Sequence, residues 1–70
     1  MKICDFTNPE LEKFRKECNF TAIERRCFDL KAKDMTNIEL AMKLSVSEST
    51  VSVIMRRVRT KITRVLNWEV

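Results

Sequence analysis

The sequence predicts an all-α fold, a small domain of four helices of which the last is long. Three observations carry that expectation. Glycine is absent and proline occurs once, at Pro9, so the Asn-Gly, Asp-Gly and Gly-X pairs that close tight hairpins do not occur. Strong helix formers, Leu, Lys, Arg, Glu, Met and Ala, are abundant. Apolar residues from Val51 to Val65 recur at intervals of three and four, the helical period. Seventy residues suffice for one domain, residues 1–70, with a single small core, because a chain of this size buries only about 60% of its unfolded surface. A hydrophobic fraction of 44% is that of a folded chain, not a disordered one.

Each helix is bounded by its caps. The first, about residues 9–18, opens at Asn8-Pro9, a capping residue followed by proline at the first helical position. Leu11, Phe14 and Cys18 share its buried face. The second, about 21–33, opens with Thr21-Ala-Ile-Glu24, a capping box in which the hydroxyl and the carboxylate each satisfy an orphan amide. Its apolar face is Ile23, Cys27, Phe28 and Leu30, and it stops at Lys33-Asp34, where Asp tolerates the left-handed backbone of a helix end. The third, 37–44, opens with a second capping box, Thr36-Asn-Ile-Glu39, and buries Leu40, Ala41 and Leu44. Ser45-Val46-Ser47 then interrupts the pattern. The fourth, about 48–66, starts from Ser47 as N-cap and carries the stripe Val51, Ile54, Val58, Ile62, Val65. At ~1.5 Å per residue it is a rod of about 28 Å.

Composition narrows the function. Histidine is absent, and the three cysteines, Cys4, Cys18 and Cys27, form no CxxC pair. A mixed Cys/His zinc site is excluded and a cysteine nucleophile lacks its usual histidine partner, so buried, reduced thiols are expected. There is no glycine-rich phosphate loop and no carboxylate pair placed for catalysis, so neither enzymatic activity nor a cofactor or metal is expected. Glu24 reads as a cap and not as an acid catalyst. The opening MKICDF lacks the apolar region of a signal peptide, and no run approaches the ~20 apolar residues of a membrane span. The expectation is a cytoplasmic protein that does not engage a membrane.

Charge is segregated. Residues 1–44 hold nine Lys/Arg against eight Asp/Glu, while Ser49 to Asn67 holds five positive charges and no negative one. A basic stripe confined to one segment marks an anion-binding surface. At 100° per residue, Val51, Ile54, Met55, Val58 and Ile62 gather on one side of the fourth helix. Ser49, Ser52, Val53, Arg56, Arg57, Thr60 and Arg64 lie on the other. The major groove admits a helix whose outer face has this chemistry. Arginine pairs bidentately with guanine, a valine touches a thymine methyl, and the hydroxyls of Ser47, Ser49 and Thr50 donate to phosphates, with Thr60 a further backbone-contact candidate. A short helix, a three-residue turn and a longer basic helix together describe a helix-turn-helix with a long C-terminal recognition helix.

The strings Phe20-Thr-Ala-Ile-Glu-Arg-Arg-Cys-Phe-Asp-Leu, Asp34-Met-Thr-Asn-Ile-Glu-Leu-Ala, Leu44-Ser-Val-Ser-Glu-Ser-Thr-Val51 and Val58-Arg-Thr-Lys-Ile62 resemble the DNA-binding domain of LuxR/GerE-type regulators. They are similar, more distantly, to region 4 of bacterial sigma factors. The resemblance runs without a gap over about residues 20–62. It implies a sequence-specific regulator of transcription, of bacterial, phage or mobile-element origin, whose partner is double-stranded DNA. Ser52, Val53 and Arg56 would face bases, Thr50 would contact the phosphate backbone, and Lys43, Arg57 and Lys61 would lie near flanking phosphates. Val51, Val58 and Ile62 would hold the recognition helix on the core. Departures are visible as well. Asp34 stands where the family usually has Gly, and Ile54 where it often has His or another polar residue. The family's helix after the recognition helix is missing, and a helix over 9–18 stands in front instead, so the family's dimer surface does not carry over. A homodimer is still expected, reading a near-palindrome with recognition helices about 34 Å apart or a multiple of that. Leu66 and Trp68 either cover the first helix or form the dimer seam. The alternative function is a sigma-region-4-like adaptor docking on RNA polymerase or another regulator.

Overall fold

The computed structural model describes residues 2–68, the side chain of Trp68 excepted. A 3-10 turn at Ile3–Asp5 leads into four α-helices: α1 (Asn8–Glu17), α2 (Ala22–Ala32), α3 (Asn37–Leu44) and α4 (Glu48–Trp68). The described residues form no strand, and none of their helices is long and apolar enough to cross a membrane.

One capping grammar starts three of the helices. Thr21 and Glu24 close the box on α2, and Thr36 and Glu39 close it on α3. The start of α1 differs from the expected Asn8 cap. Thr7 is the N-cap, its N–H donating to Glu10 Oε1 at 2.9 Å while its hydroxyl accepts from the Glu10 N–H. Asn8 is already helical, because the box needs a hydroxyl three residues before its carboxylate, and Thr7-Asn-Pro-Glu10 provides that spacing. At α4 the Ser47 Oγ accepts from the Thr50 N–H at 3.2 Å.

With no glycine in the chain, the three inter-helix turns use other residues in the left-handed region: Asn19 (φ 53°), Asp34 (φ 63°) and Ser45 (φ 56°). Asn and Asp tolerate this backbone, whereas serine lacks their advantage. Ser45 is the C-cap of α3, its N–H shared between the carbonyls of Ala41 and Met42, and it sets the angle at which α4 departs.

The apolar stripe of α4 organises the core. Val51, Met55, Val58 and Ile62 are fully buried, together with Phe14, Cys27, Phe28 and Leu40 from the other helices. The phenylalanines run as a chain: Phe6 meets Phe14 edge-on at 4.9 Å, Phe14 meets Phe28 at 6.4 Å, and Phe20 lies 5.1 Å from Phe28. Such pairs contribute roughly 0.5–1.5 kcal/mol beyond their buried area. Arg15 covers this chain, its guanidinium over the Phe28 ring and paired with Asp29 and Glu12. Ile3, from the N-terminal turn, is buried against the same cluster. Cys18 and Cys27 are buried free thiols, and burial pushes Cys18 up to about 11. Cys4 is only half-buried, its Sγ donating to Asp34 Oδ1.

Ile23, expected on the apolar face of α2, is instead exposed, and Glu24 takes the buried position next to it. A carboxylate is tolerated there because two donors meet its Oε1: Thr21 N–H donates at 2.9 Å, and the Lys61 ammonium of α4 donates at 2.5 Å. Lys61 also donates to the Asn19 carbonyl at 3.2 Å, so one ammonium ties α4 to the start of α2 and to the turn before it. Burial alone would raise the Glu24 carboxyl. The hydrogen bonds from Lys61 and Thr21 outweigh it and hold the group below the usual carboxylate value.

Two expectations follow. Glu24→Gln should cost about 2 kcal/mol at neutral pH, as charge-assisted bonds to a buried carboxylate are lost. The Glu24 contribution is full above an unfolded pKa near 4.5 and vanishes as pH falls through the lower folded value. Urea denaturation against pH should therefore show a shallower acid limb for the variant, and equal limbs would contradict this role. Ser45→Gly should stabilise by about 0.5 kcal/mol, the relief of left-handed strain exceeding the added unfolded-state entropy; a loss of stability in the same assay would refute it.

Candidate nucleic-acid interface

Ser47 organises the start of α4. Its Oγ holds the Thr50 amide and lies 3.0 Å from the Thr50 Oγ1, and its carbonyl accepts from Val51 N–H. The remaining first-turn amides, with the positive end of the helix dipole, face outward. Ser47, Ser49 and Thr50 are all exposed around this end.

Beyond it the helix divides cleanly. Val51, Ile54, Met55 and Val58 turn inward, while Ser52, Val53, Arg56, Arg57 and Thr60 are exposed. Val53, at 43% exposure, is an uncovered apolar side chain between small hydroxyl residues and arginines. Ile54 is buried, so the position where related sequences often carry a polar residue belongs here to the core. Lys43 is exposed near the end of α3.

Ser52 and Arg56 come together in an open cleft with Asn37, Arg59, Thr60 and Thr63, between the start of α3 and the flank of α4. On the opposite flank Arg56, Arg57, Thr60, Lys61 and Arg64 surround Glu24. Arg56 thus stands on the ridge between two concave basic surfaces. Asn37 borders the first, its Oδ1 buried without a hydrogen-bond partner among the described residues.

Two of the backbone-contact candidates are engaged inside the fold. The Lys61 ammonium is committed to Glu24 and the Asn19 carbonyl, and Thr60 Oγ1 donates to the Arg56 carbonyl at 2.9 Å. The bond of Thr60 is local to α4, whereas sequence spacing carries no information on the Glu24 carboxylate that reaches Lys61 from α2. Conversely, Arg59 and Asn37 line the first cleft although neither was a candidate. On the helical wheel Arg59 sits close to the apolar stripe, and only the crossing of α3 over α4 shows that it borders the same cleft as Arg56.

Leu66 is exposed and so does not cover α1, whereas Val65 one residue earlier is buried. The side chain of Trp68 lies outside the described residues. Among the described residues no group of His, Cys, Asp or Glu is placed to hold a metal.

A family model described as bacterial regulatory proteins, luxR family (GerE), matches residues 19–64. No match was found among curated proteins or among solved structures. The matched segment contains α2, α3 and the turn between α3 and α4, and reaches Arg64 on α4. It thus takes in both basic clefts, while the 3-10 turn and α1 precede it. With two thirds of its length matched and a helix-turn-helix in place, the chain belongs to the luxR family of bacterial regulatory proteins, a family of DNA-binding regulators.

Proposed function

We propose that this protein regulates transcription by binding double-stranded DNA sequence-specifically, with the N-terminal half of α4 in the major groove. The observation that carries the reading is the division of α4. Its inward face is wholly apolar, and its outward face over Ser49–Asn67 carries arginines and hydroxyls without one carboxylate. A helix that was merely solvated would carry both signs.

In this reading Ser52, Val53 and Arg56 face the base edges. Arg56 pairs with a guanine and Val53 packs on a thymine methyl. Lys43, Ser47, Ser49, Thr50 and Arg57 bind phosphates, the hydroxyls sitting where the α4 dipole favours an anion. Lys61 serves the scaffold, holding α4 on α2 at the angle that presents this surface. Thr60 keeps its oxygen free to accept while its proton stays in the helix. One unit of this size neutralises few phosphates, so specific binding is assigned to two copies with their α4 helices about 34 Å apart or a multiple of that, on a near-palindrome.

A second reading rests on a separate feature. Ile38 and Met42, one turn apart on α3, are 58% and 76% exposed. That apolar pair suits contact with RNA polymerase or another regulator, with DNA binding secondary.

Fluorescence anisotropy on a random-sequence duplex at roughly 50 and 200 mM salt tests the first reading. Affinity should fall about a hundredfold between the two if some four phosphates are neutralised. The double variant Arg56→Ala/Arg57→Ala should bind more weakly at both. Folded wild type that binds at neither salt would overturn DNA binding, and polymerase binding retained in that case would favour the adaptor.

A further inference from the structure

We infer that α4 carries two phosphate-binding shelves, one on each side of its base-facing ridge, formed by Arg59 beside Asn37 and by Arg64 beside Arg57. They grip the phosphodiesters of opposite DNA strands. This rests on the major-groove reading above and extends it to two arginines outside the set that the resemblance assigns.

The first ground is position. Arg56 and Thr60 border both clefts, but the arginines beyond them divide: Arg59 lines the cleft under the start of α3, with Asn37 and Thr63, and not the one beside α2, whereas Arg64 lines the cleft beside α2, with Arg57, and not the one under α3. Around the helix axis Arg59 lies about 80° to one side of Val51 and Arg64 about 140° to the other, at 100° per residue. The outward ridge separates them.

The second ground is charge. Inward-leaning cations in this protein are neutralised: Arg15 by Asp29 and Glu12, Lys61 by Glu24. Arg56, Arg57, Arg59 and Arg64 are exposed and have no carboxylate partner among the described residues. Glu24, the acid bordering the Arg57–Arg64 cleft, is already spent on Lys61, and Asp34, which shares a small pocket with Arg59, accepts from the Cys4 thiol and forms no ion pair with that arginine. Both shelves therefore keep their positive charge for an external anion.

The third ground is length. The major groove is about 12 Å wide, and α4 has 21 residues, about 31 Å of rod at 1.5 Å per residue. Arg64 stands twelve residues beyond Ser52, about 18 Å along the axis. With Ser52 at the bases, Arg64 is past the groove wall and over the sugar–phosphate backbone. Arg59, nearer the ridge residues and facing the α3 side, meets the other wall. A phosphate contact there carries no base information, so these residues set affinity and the seating angle of α4 but leave sequence preference to the ridge.

The test uses the full chain with a duplex selected by wild type and a random duplex, each titrated across salt. Arg59→Gln and Arg64→Gln should each lower the slope of log affinity against log salt by about 0.9 for every copy bound, shrinking the loss between roughly 50 and 200 mM about 3.5-fold per copy. Each should weaken both duplexes by the same factor per bound copy, with the helical circular dichroism unchanged. Neutral methylphosphonates confined to one strand of one half-site of the selected duplex should roughly halve the effect of one substitution and leave the other intact, since the second copy meets the strands in the opposite sense. Unchanged slopes in both variants, while Arg56→Ala still weakens binding, would remove the shelves and leave the major-groove reading standing. Equal masking of both substitutions by methylphosphonates in one strand of one half-site would overturn the straddling arrangement. Wild type that binds no duplex would remove both proposals.

Discussion

Every helix of this protein is held by the apolar stripe of α4, and one ammonium decides how that stripe is seated. Val51, Ile54, Met55, Val58, Ile62 and Val65 pack against α1, α2 and α3 at once. Packing of that kind leaves some freedom to roll, because apolar contacts have no direction. The Lys61–Glu24 pair removes it. Glu24 is nearly buried and already fixed by the Thr21 amide, so a roll of α4 that carried Lys61 away would leave a buried carboxylate without its cation. The rotation that keeps the pair turns Arg56 outward between two basic clefts. Capping, core packing and surface charge meet in one contact.

Much of this was legible in the chain. The capping boxes at Thr21 and Thr36 mark the starts of α2 and α3 because the hydroxyl and carboxylate must stand three residues apart, a purely local requirement. The α4 stripe was legible for the same reason: its period is a property of one helix. What sequence alone did not reveal is mostly non-local. Ile23 reads as core until Glu24 is seen to have a partner 37 residues away. Lys61 reads as a surface cation for the same reason. Ile3 and the turn around it carry no periodic signal, and their burial depends on a groove made by other elements. Thr7 is the exception, since its box with Glu10 is as local as the others and was hidden only by the attraction of Asn8-Pro9 as a helix start.

The absence of glycine also shaped the architecture. Turns that glycine would make without strain are made by Asn19, Asp34 and Ser45, and the helix-turn-helix corner falls on the least tolerant of the three. What the corner gains is a stiffer unfolded chain and a defined exit angle. For a surface that must match a groove about 12 Å wide, angular definition matters more than a few tenths of a kcal/mol.

The account stands on α4 being the ligand-facing element, and backbone amide chemical shifts during titration with duplex DNA test it most directly. It predicts that the largest changes fall on Ser47 through Thr60, with smaller ones at Asn37 and Arg64, and that α1 stays unmoved. Changes concentrated on α1, or around Ile38 and Met42 with α4 silent, would contradict it.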